Sequence, residues 1–208
     1  MNNFKQELKT AYNTDAKRRD DAEGKRDKWK LDLRQYFVDL LKKENKKTVL
    51  ELGAGAGLDS QFFKENGFEV LATDLSDEMI KMCQKRGLEA STFDLYDLES
   101  LIKKFDAIFS LNVLLHVPRK DIEKVLTGIY NTLNDNGIFF YGVYGGIEEE
   151  KTIIDKSKMG LPRFFSFLSD KTILQVVKDK FEVIKFETVD VQGKQKGFHF
   201  QSLFLRKK

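Results

Sequence analysis

An apolar segment that ends in three alternate glycines constrains the fold of this chain more than any other feature. The segment reads Thr48-Val49-Leu50-Glu51-Leu52-Gly53-Ala54-Gly55-Ala56-Gly57. Glycines tolerate positive φ angles and let backbone N–H groups approach a ligand closely, and the residues after them would open a helix whose N-terminus faces that ligand. The pattern predicts a nucleotide-type binding loop at the end of the first strand of an α/β sheet.

The spacing and charge of this loop restrict the ligand. The dinucleotide fingerprint is G-x-G-x-x-G, but the third glycine here is Gly57, and Leu58 stands where that pattern has glycine. Glu51, just ahead of the loop, would repel a pyrophosphate and attract a cation. S-adenosylmethionine combines an ammonium group, a sulfonium and an adenosine, so the sequence favours it over NAD.

A second acid supports this cofactor. Residues 68–76 read as a strand that ends in Asp74. This acid follows the first glycine by about 20 residues, the distance at which a carboxylate accepts hydrogen bonds from ribose hydroxyls. We therefore expect Asp74 to bind the adenosine ribose.

With these residues the chain resembles the class I S-adenosylmethionine-dependent methyltransferases. The resemblance continues through Phe93-Asp94-Leu95, where the third strand of that family ends beside adenine, and through residues 105–112, which resemble its fourth strand. Residues 111–118, 142–146 and 163–167 are similar to a bacterial subgroup of small-molecule methyltransferases with unassigned substrates. The resemblance implies a cofactor-binding set of Tyr12, Trp29, Glu51, Gly53, Ala54, Gly55, Gly57, Asp74, Leu75, Met79, Asp94, Leu95, Leu111 and Asn112.

Helix and strand patterns alternate after Lys47 and predict a Rossmann-like, doubly wound α/β fold. A helix is predicted at 29–43, and strands at 48–52, 69–73, 90–93, 105–111 and 137–143, with a turn at 134–137 before the last of these. Ser169 and Asp170 can cap a helix that runs to about residue 179. Strands at 181–189 and 198–205 follow, with Gly193 in the hairpin between them. The resemblance implies seven strands, mostly parallel, with the last strand antiparallel.

Length and composition favour one domain over residues 1–208. Within it we expect an N-terminal helical lid at 1–47, a cofactor-binding core at 48–146, and a substrate-facing connection with a C-terminal helix and strands at 147–208. The net charge of +3 is too balanced to indicate a polyanion partner, and Cys83 is the single cysteine, so neither a disulfide nor a multi-cysteine metal site is expected. No apolar run approaches a membrane span and no signal peptide is recognisable, so we expect a cytoplasmic protein.

For methyl transfer from a sulfonium, the protein needs mainly to align a nucleophile with the S–CH3 bond in a site that excludes water. The chain carries neither a G-x-S-x-G nor an H-E-x-x-H motif, and its two histidines are His116 and His199. His116 follows the fourth strand and is the candidate catalytic base; the alternative is a hydrogen-bonded histidine that fixes the loop. Asn112 is expected to hold the methionine ammonium, although asparagine is also a common turn residue.

Four further residues are predicted to bind the methyl acceptor: Tyr144, Arg163, Phe164 and His199. Arg163 beside aromatic rings would grip a carboxylate, or would form an ordinary ion pair. Tyr12 and Trp29 would belong to the lid, but an aromatic residue at helical spacing also fits core packing.

The sequence therefore predicts S-adenosylmethionine-dependent methyl transfer to a small-molecule acceptor by in-line displacement, in a monomer or homodimer without a metal, nucleic-acid or membrane partner. Two alternatives stay open at this point: an RNA or protein methylase, and a non-catalytic S-adenosylmethionine-binding protein. A NAD-dependent dehydrogenase shares the architecture but conflicts with the glycine spacing and Glu51.

Overall fold

A computed structural model describes residues 3–21, 27–156, 160–191 and 195–208 of the 208-residue chain. The chain divides into two compact units. The first unit comprises Met1–Asp94 and Thr152–Phe164, and the second comprises Leu95–Lys151 and Phe165–Lys208. The single domain expected for residues 1–208 stays a prediction.

The described residues of the first unit as far as Asp94 form four helices and three parallel strands. The helices are α1 (Asn3–Asp21), α2 (Lys28–Lys43), α3 (Leu58–Glu65) and α4 (Asp77–Lys85), and the strands are β1 (Thr48–Leu52), β2 (Glu69–Asp74) and β3 (Glu89–Thr92). Strand β2 pairs in parallel with both of the others. Leu52 of β1 lies opposite Thr73 of β2, and Asp74 of β2 lies opposite Thr92 of β3. The glycine loop and Asp74 therefore lie at the same, carboxyl, edge of these strands.

The remaining elements follow in chain order. They are β4 (Phe105–Leu111), α5 (Ile122–Thr132), β5 (Leu133–Gly145), β6 (Glu149–Ile154), β7 (Pro162–Phe167), α6 (Asp170–Val177), β8 (Phe181–Asp190) and β9 (His199–Lys207). Strands β4 and β5 are parallel, whereas β9 is antiparallel to both β5 and β8. Aromatic side chains fill the core of the second unit, where the Phe140 ring lies 4.6 Å from that of Phe109 and 4.9 Å from that of Phe204.

Seven strands form one mostly parallel sheet in the order β3-β2-β1-β4-β5-β9-β8, and β6 pairs with β7 in a separate two-stranded sheet. The Rossmann-like fold class and the antiparallel last strand are thereby confirmed. Among the helices in the described part of the chain, none combines the length and the apolar character that a bilayer crossing requires.

Local sequence explains where the helices begin and what they bury. Helix α2 buries Leu33, Phe37, Val38 and Leu41, which recur at helical spacing on one face. Helix α4 follows Ser76, whose hydroxyl accepts the Met79 N–H. Helix α6 follows Ser169, whose hydroxyl accepts the Thr172 N–H. Each serine satisfies one of the amides that a helix N-terminus leaves unpaired.

Four expectations differ from the structure or fall outside it. Strand β5 begins at Leu133, four residues before the predicted start, because Leu133 already pairs with Phe105. The predicted turn is present as an excursion inside that strand: pairing resumes only at Ile138, and Asn136 between them has a φ of 57°. Strands β6 and β7 occupy a segment predicted to be a connection. The predicted hairpin glycine, Gly193, lies outside the described residues.

Candidate functional site

The glycine loop of the first unit has the backbone that its sequence predicts. The φ angles of Gly53, Gly55 and Gly57 are 67°, 56° and 86°, in the left-handed region that favours glycine. The Ala54 N–H donates to the carbonyl of Thr73 at 2.8 Å, which ties the loop to strand β2. Gly57 is the N-cap residue of α3, so the loop leads directly into a helix N-terminus.

The carboxylate of Asp74 is hydrogen-bonded to the backbone of this loop. Its Oδ2 accepts the Gly55 N–H at 2.9 Å, and its Oδ1 accepts the Ser76 N–H at 2.8 Å. The carboxylate thus joins the middle glycine to the turn that starts α4. Sequence reasoning placed Asp74 at the cofactor loop but missed its bond to the loop backbone.

Glu51 is a buried acid at the end of β1, with 3% of its surface exposed. Its Oε2 accepts the hydroxyl proton of Ser60 on α3, and its backbone carbonyl accepts the Thr73 hydroxyl at 2.7 Å. A buried carboxylate needs such partners to offset its desolvation. The residue therefore places a negative charge near the end of β1, two residues before Gly53.

The pKa of Cys83 is raised by its surroundings. Burial is the largest cause and the negative charges of Glu51 and Asp74 come next, and together they raise the pKa of the Cys83 thiol to about 12. The thiol donates to the carbonyl of Gly55 at 3.2 Å, so it lies against the loop. A field that disfavours a thiolate favours a cationic ligand group.

We expect Cys83 to resist alkylation in the native protein because a thiol with a raised pKa supplies little of the reactive thiolate at neutral pH. Iodoacetamide should label it at least about 100-fold more slowly in the native state than in guanidinium, since the pKa returns to its ordinary value on unfolding. Mass spectrometry of the time course measures both rates. Equal rates in the two states would contradict the buried, negatively charged surroundings described above.

Helix α1 lies against the acids of the first unit. Lys5 donates to Asp94 at 2.7 Å, and Lys9 lies 2.8 Å from Asp77. The Asn13 Oδ1 accepts the Ser76 hydroxyl proton at 2.6 Å. Asp94, predicted to lie beside adenine, therefore pairs with the N-terminal helix, a contact that no local sequence pattern indicates.

The other predicted cofactor residues of the first unit differ in exposure. Tyr12 on α1 and Leu75 after β2 are partly exposed, whereas Ala54 is buried and Met79 on α4 retains only 1% of its surface. Trp29 is also partly exposed, and the ammonium group of Lys30 lies 4.9 Å from the centre of its ring. Their roles toward a cofactor, and the lid function of residues 1–47, stay predictions.

In the second unit, Asn112 has the features of a ligand-binding residue. It has a φ of 59°, which a non-glycine residue adopts at a cost, and its N–H donates to the carbonyl of Gly142 at 2.7 Å. Among the described residues, none forms a hydrogen bond with its buried Oδ1. An orphaned buried oxygen of this kind fits an ammonium donor from a ligand. Leu95 and Leu111, the other predicted residues of this unit, are both partly exposed.

His116 and Tyr144 belong to a series of aromatic contacts in the second unit. The rings of His116 and Phe165 are 4.8 Å apart, and Phe165 stacks on Phe167 at 5.7 Å. Phe167 meets Phe198 edge-on at 5.2 Å, and Phe198 stacks on Tyr144 at 5.9 Å. We call these five residues the aromatic row. The sequence predicted His116 and Tyr144 as site residues but gave Phe198 no role there.

The predicted acceptor-binding residues belong to two different units. Arg163 is buried and Phe164 packs against Phe4 of α1 at 5.7 Å, both within the first unit. His199 belongs to the second unit and forms a 2.8 Å contact with Asp170. Sequence reasoning missed Asp170 as its partner, because the two residues are 29 positions apart and Asp170 reads as an ordinary helix-start residue.

Comparison with known proteins gives three kinds of match. Residues 50–139 match the family model described as a methyltransferase domain. A ubiquinone biosynthesis O-methyltransferase of Xanthomonas oryzae pv. oryzae is 35% identical over 77 residues, which are 34% of this chain and 32% of that protein. A malonyl-(acyl-carrier protein) O-methyltransferase of Hamiltonella defensa is 30% identical over 129 residues, or 59% of this chain and 49% of that protein. The chain therefore spans about a third to a half of the length of these curated relatives.

A solved structure extends the match over almost the whole chain. The 1,6-didemethyltoxoflavin-N1-methyltransferase of Burkholderia thailandensis, with bound 1,6-didemethyltoxoflavin and S-adenosylhomocysteine, superposes with a TM-score of 0.72. The superposition covers 98% of this chain and 88% of that one at 17% sequence identity. At this identity the likeness establishes the fold alone.

Proposed function

We propose that the protein transfers a methyl group from S-adenosylmethionine to a small-molecule acceptor, and the match of residues 50–139 to the methyltransferase-domain model supports this proposal. The family match confirms the resemblance that the glycine loop and Asp74 indicated. The proposal adds an acceptor class and a set of residues that carry out the transfer.

One observation carries the proposal: a loop of three left-handed glycines is hydrogen-bonded to the carboxylate of Asp74 and follows the strand that carries the buried Glu51. Asp74 accepts the Gly55 N–H, and a Cβ added at Gly55 would have no atom of the described residues within 4 Å. The loop is thus ordered and yet open on its outer side. An ordered backbone with an open outer side suits close approach of a ligand. The negative charges of Glu51 and Asp74 favour a cationic ligand.

The residues present fit S-adenosylmethionine. In the first unit, Asp74 would bind the ribose, Asp94 and Leu75 would flank the adenosine, and the loop from Gly53 to Gly57 would face the methionine portion. The role of Asn112 toward the ammonium group stays a prediction, which is compatible with its buried Oδ1 having no hydrogen-bond partner among the described residues. When bound, the cofactor supplies an electrophilic methyl group attached to a sulfonium. Transfer of this methyl group is favourable because the sulfonium loses its positive charge.

The acceptor is proposed to be a small, flat molecule. The aromatic row supports this choice because stacked and edge-on rings bind planar ligands well. His116, Tyr144 and His199 of the second unit are the residues proposed to contact the acceptor, and the acceptor roles of Arg163 and Phe164 stay predictions. The named relatives also act on small molecules or on a carrier-bound malonyl group. A cytoplasmic location, a monomeric or homodimeric state and the absence of a nucleic-acid partner stay predictions.

Titration calorimetry with S-adenosylhomocysteine tests the cofactor assignment directly, with NAD as the control ligand. We expect S-adenosylhomocysteine to bind with a dissociation constant in the micromolar range, about −8 kcal/mol, and NAD to show no heat of binding. Binding of NAD in preference would mean that the glycine loop serves a dinucleotide. Failure of both ligands to bind would remove the proposed function.

A further inference from the structure

A series of hydrogen bonds in the first unit connects helix α1 to the glycine loop. The Oδ1 of Asn13 on α1 accepts the hydroxyl proton of Ser76 at 2.6 Å. The Ser76 N–H donates to the Asp74 Oδ1 at 2.8 Å, and the Asp74 Oδ2 accepts the Gly55 N–H at 2.9 Å. These bonds lead from a side chain of α1 to the backbone of the middle glycine, and we call the four residues the relay.

Asn13 also completes the N-terminus of helix α4. Its Oδ1 accepts the Glu78 N–H at 3.3 Å, while the Ser76 hydroxyl accepts the Met79 N–H at 3.2 Å. The first amides of a helix have no partners inside the helix, and these two oxygens supply partners from outside it. Since the Glu78 N–H needs an acceptor, the oxygen of the Asn13 amide must face α4. The orientation of Asn13 is therefore determined by its contacts.

Two lysines on the same face of α1 contact other acids of the first unit. Lys5, Lys9 and Asn13 are four residues apart, which places them one above another on the helix. Lys5 donates to Asp94 at 2.7 Å, and both side chains are mostly buried. Lys9 lies 2.8 Å from Asp77, whose side chain is 47% exposed. The better shielded pair joins α1 to the acid expected beside adenine.

Helix α1 is attached by few large apolar side chains. Among its side chains that the structure describes, the buried apolar ones are Leu8, Ala11 and Ala16. The Phe4 ring also lies 5.7 Å from that of Phe164. Local opening costs least where little apolar surface is buried, so α1 should open more readily than α2, which buries four side chains larger than alanine. The polar contacts of α1 therefore carry a larger share of its attachment.

We propose that Asn13 is a positioning residue for the glycine loop, and that cofactor binding and docking of α1 strengthen each other through the relay. This inference rests on the proposed function, in which the glycine loop binds S-adenosylmethionine. Docked α1 holds Ser76, and Ser76 holds the carboxylate that accepts the Gly55 N–H. A ligand that requires this loop geometry also favours the docked helix, and by thermodynamic linkage the two effects are equal in size.

Amide hydrogen exchange of the ligand-free protein, followed by ¹H–¹⁵N spectra, tests the relay by itself. In Asn13→Ala the Gly55 N–H should exchange at least about fivefold faster than in the wild type, because its acceptor is no longer held through Ser76. Amides of α5 are the reference, since a general loss of stability would accelerate exchange in both places by the same factor. Equal acceleration in both places, or no change at Gly55, would overturn the inference.

Thr14→Ala is the matched control. Thr14 is the next residue of α1; it is exposed, and its hydroxyl donates to the carbonyl of Thr10 in the same helix. Alanine is the best helix former, so neither substitution should unfold α1. The control should leave Gly55 exchange within about twofold of the wild type. Asn13→Leu removes the same acceptor at similar volume and takes the place of Asn13→Ala if that variant does not fold.

S-adenosylhomocysteine tests the coupling between the ligand and α1. At saturation it should slow amide exchange in α1 of the wild type by at least about tenfold. Asn13→Ala should lose most of this protection and, by calorimetry, should bind S-adenosylhomocysteine about tenfold more weakly. Thr14→Ala should match the wild type in both measurements. Protection of α1 that is the same in Asn13→Ala as in the wild type would contradict the proposed coupling.

The outcomes separate this inference from the function on which it rests. A wild-type protein that does not bind S-adenosylhomocysteine refutes the proposed function, whereas exchange at Gly55 in the ligand-free protein still shows whether the relay exists. A protein that binds S-adenosylhomocysteine equally well with asparagine or alanine at position 13 keeps the proposed function and refutes the inference.

Discussion

Replacing Asp74 with alanine is expected to weaken S-adenosylhomocysteine binding by at least about 100-fold, or about 2.7 kcal/mol. The substitution removes the acceptor of the Gly55 N–H and that of the Ser76 N–H, and each hydrogen bond to a charged group contributes about 1.5–3 kcal/mol. The loop would lose its fixed backbone, and the proposed contact with the ribose would disappear with it. Titration calorimetry on the purified variant gives the affinity.

Asp77→Ala is the matched control for this experiment. Asp77 is an acid three residues further along, and it bonds Lys9 and Thr92 rather than the glycine loop. Since its side chain is 47% exposed, its ion pair is a weak one, and affinity should change by less than about threefold. Equal losses in the two variants would mean that Asp74 acts only through general destabilisation of the start of α4.

Local sequence chemistry was sufficient to predict most of the fold. The strand that leads into Gly53, the serine cap at Ser169 and the helix at 29–43 are each determined by residues close in the chain. Hydrophobic spacing and capping act over one or two helical turns, so a single sequence displays them. The turn at 134–137 was also visible, but not its position inside a strand, because that depends on Phe105 pairing with Leu133.

Strands β6 and β7 escaped prediction for a related reason. Residues 149–154 begin Glu-Glu-Lys and alternate between partly buried and exposed positions, without a buried apolar face. Such a strand is stabilised by its partner rather than by its own hydrophobic pattern. Nothing in residues 149–154 alone indicates that a partner follows at 162–167.

In the candidate site, too, local features could be predicted from the sequence and long-range contacts could not. Glu51, Asp74 and the glycines were predictable because their roles follow from a contiguous strand and loop. The Lys5–Asp94 and His199–Asp170 contacts join residues 89 and 29 positions apart, and only the tertiary fold brings them together. Asp170 is the clearest case: its place at a helix start is evident from the sequence, whereas its histidine partner is not.

Alanine substitution should mainly lower stability at Gly57 and mainly lower ligand affinity at Gly55. At Gly57, a Cβ would lie 2.8 Å from the Leu88 Cδ1 and 2.9 Å from the Cys83 Sγ, on a backbone with a φ of 86°. Both neighbours are buried, so the clash adds to the backbone strain. We expect Gly57→Ala to lower the free energy of unfolding by about 3 kcal/mol or more, since overpacking and a left-handed non-glycine residue each cost about 1–3 kcal/mol.

Gly55→Ala is expected to fold and to lose its ligand. A Cβ at this position meets no atom within 4 Å, so the cost is limited to the φ of 56°, about 1–2 kcal/mol. The same Cβ projects from the open side of the loop and would keep a ligand from the backbone, which should weaken S-adenosylhomocysteine binding by at least about tenfold. Urea unfolding and calorimetry on both variants separate the two effects. If Gly55→Ala binds S-adenosylhomocysteine as the wild type does, the ligand does not approach the loop at its middle glycine, and the proposed cofactor position is wrong.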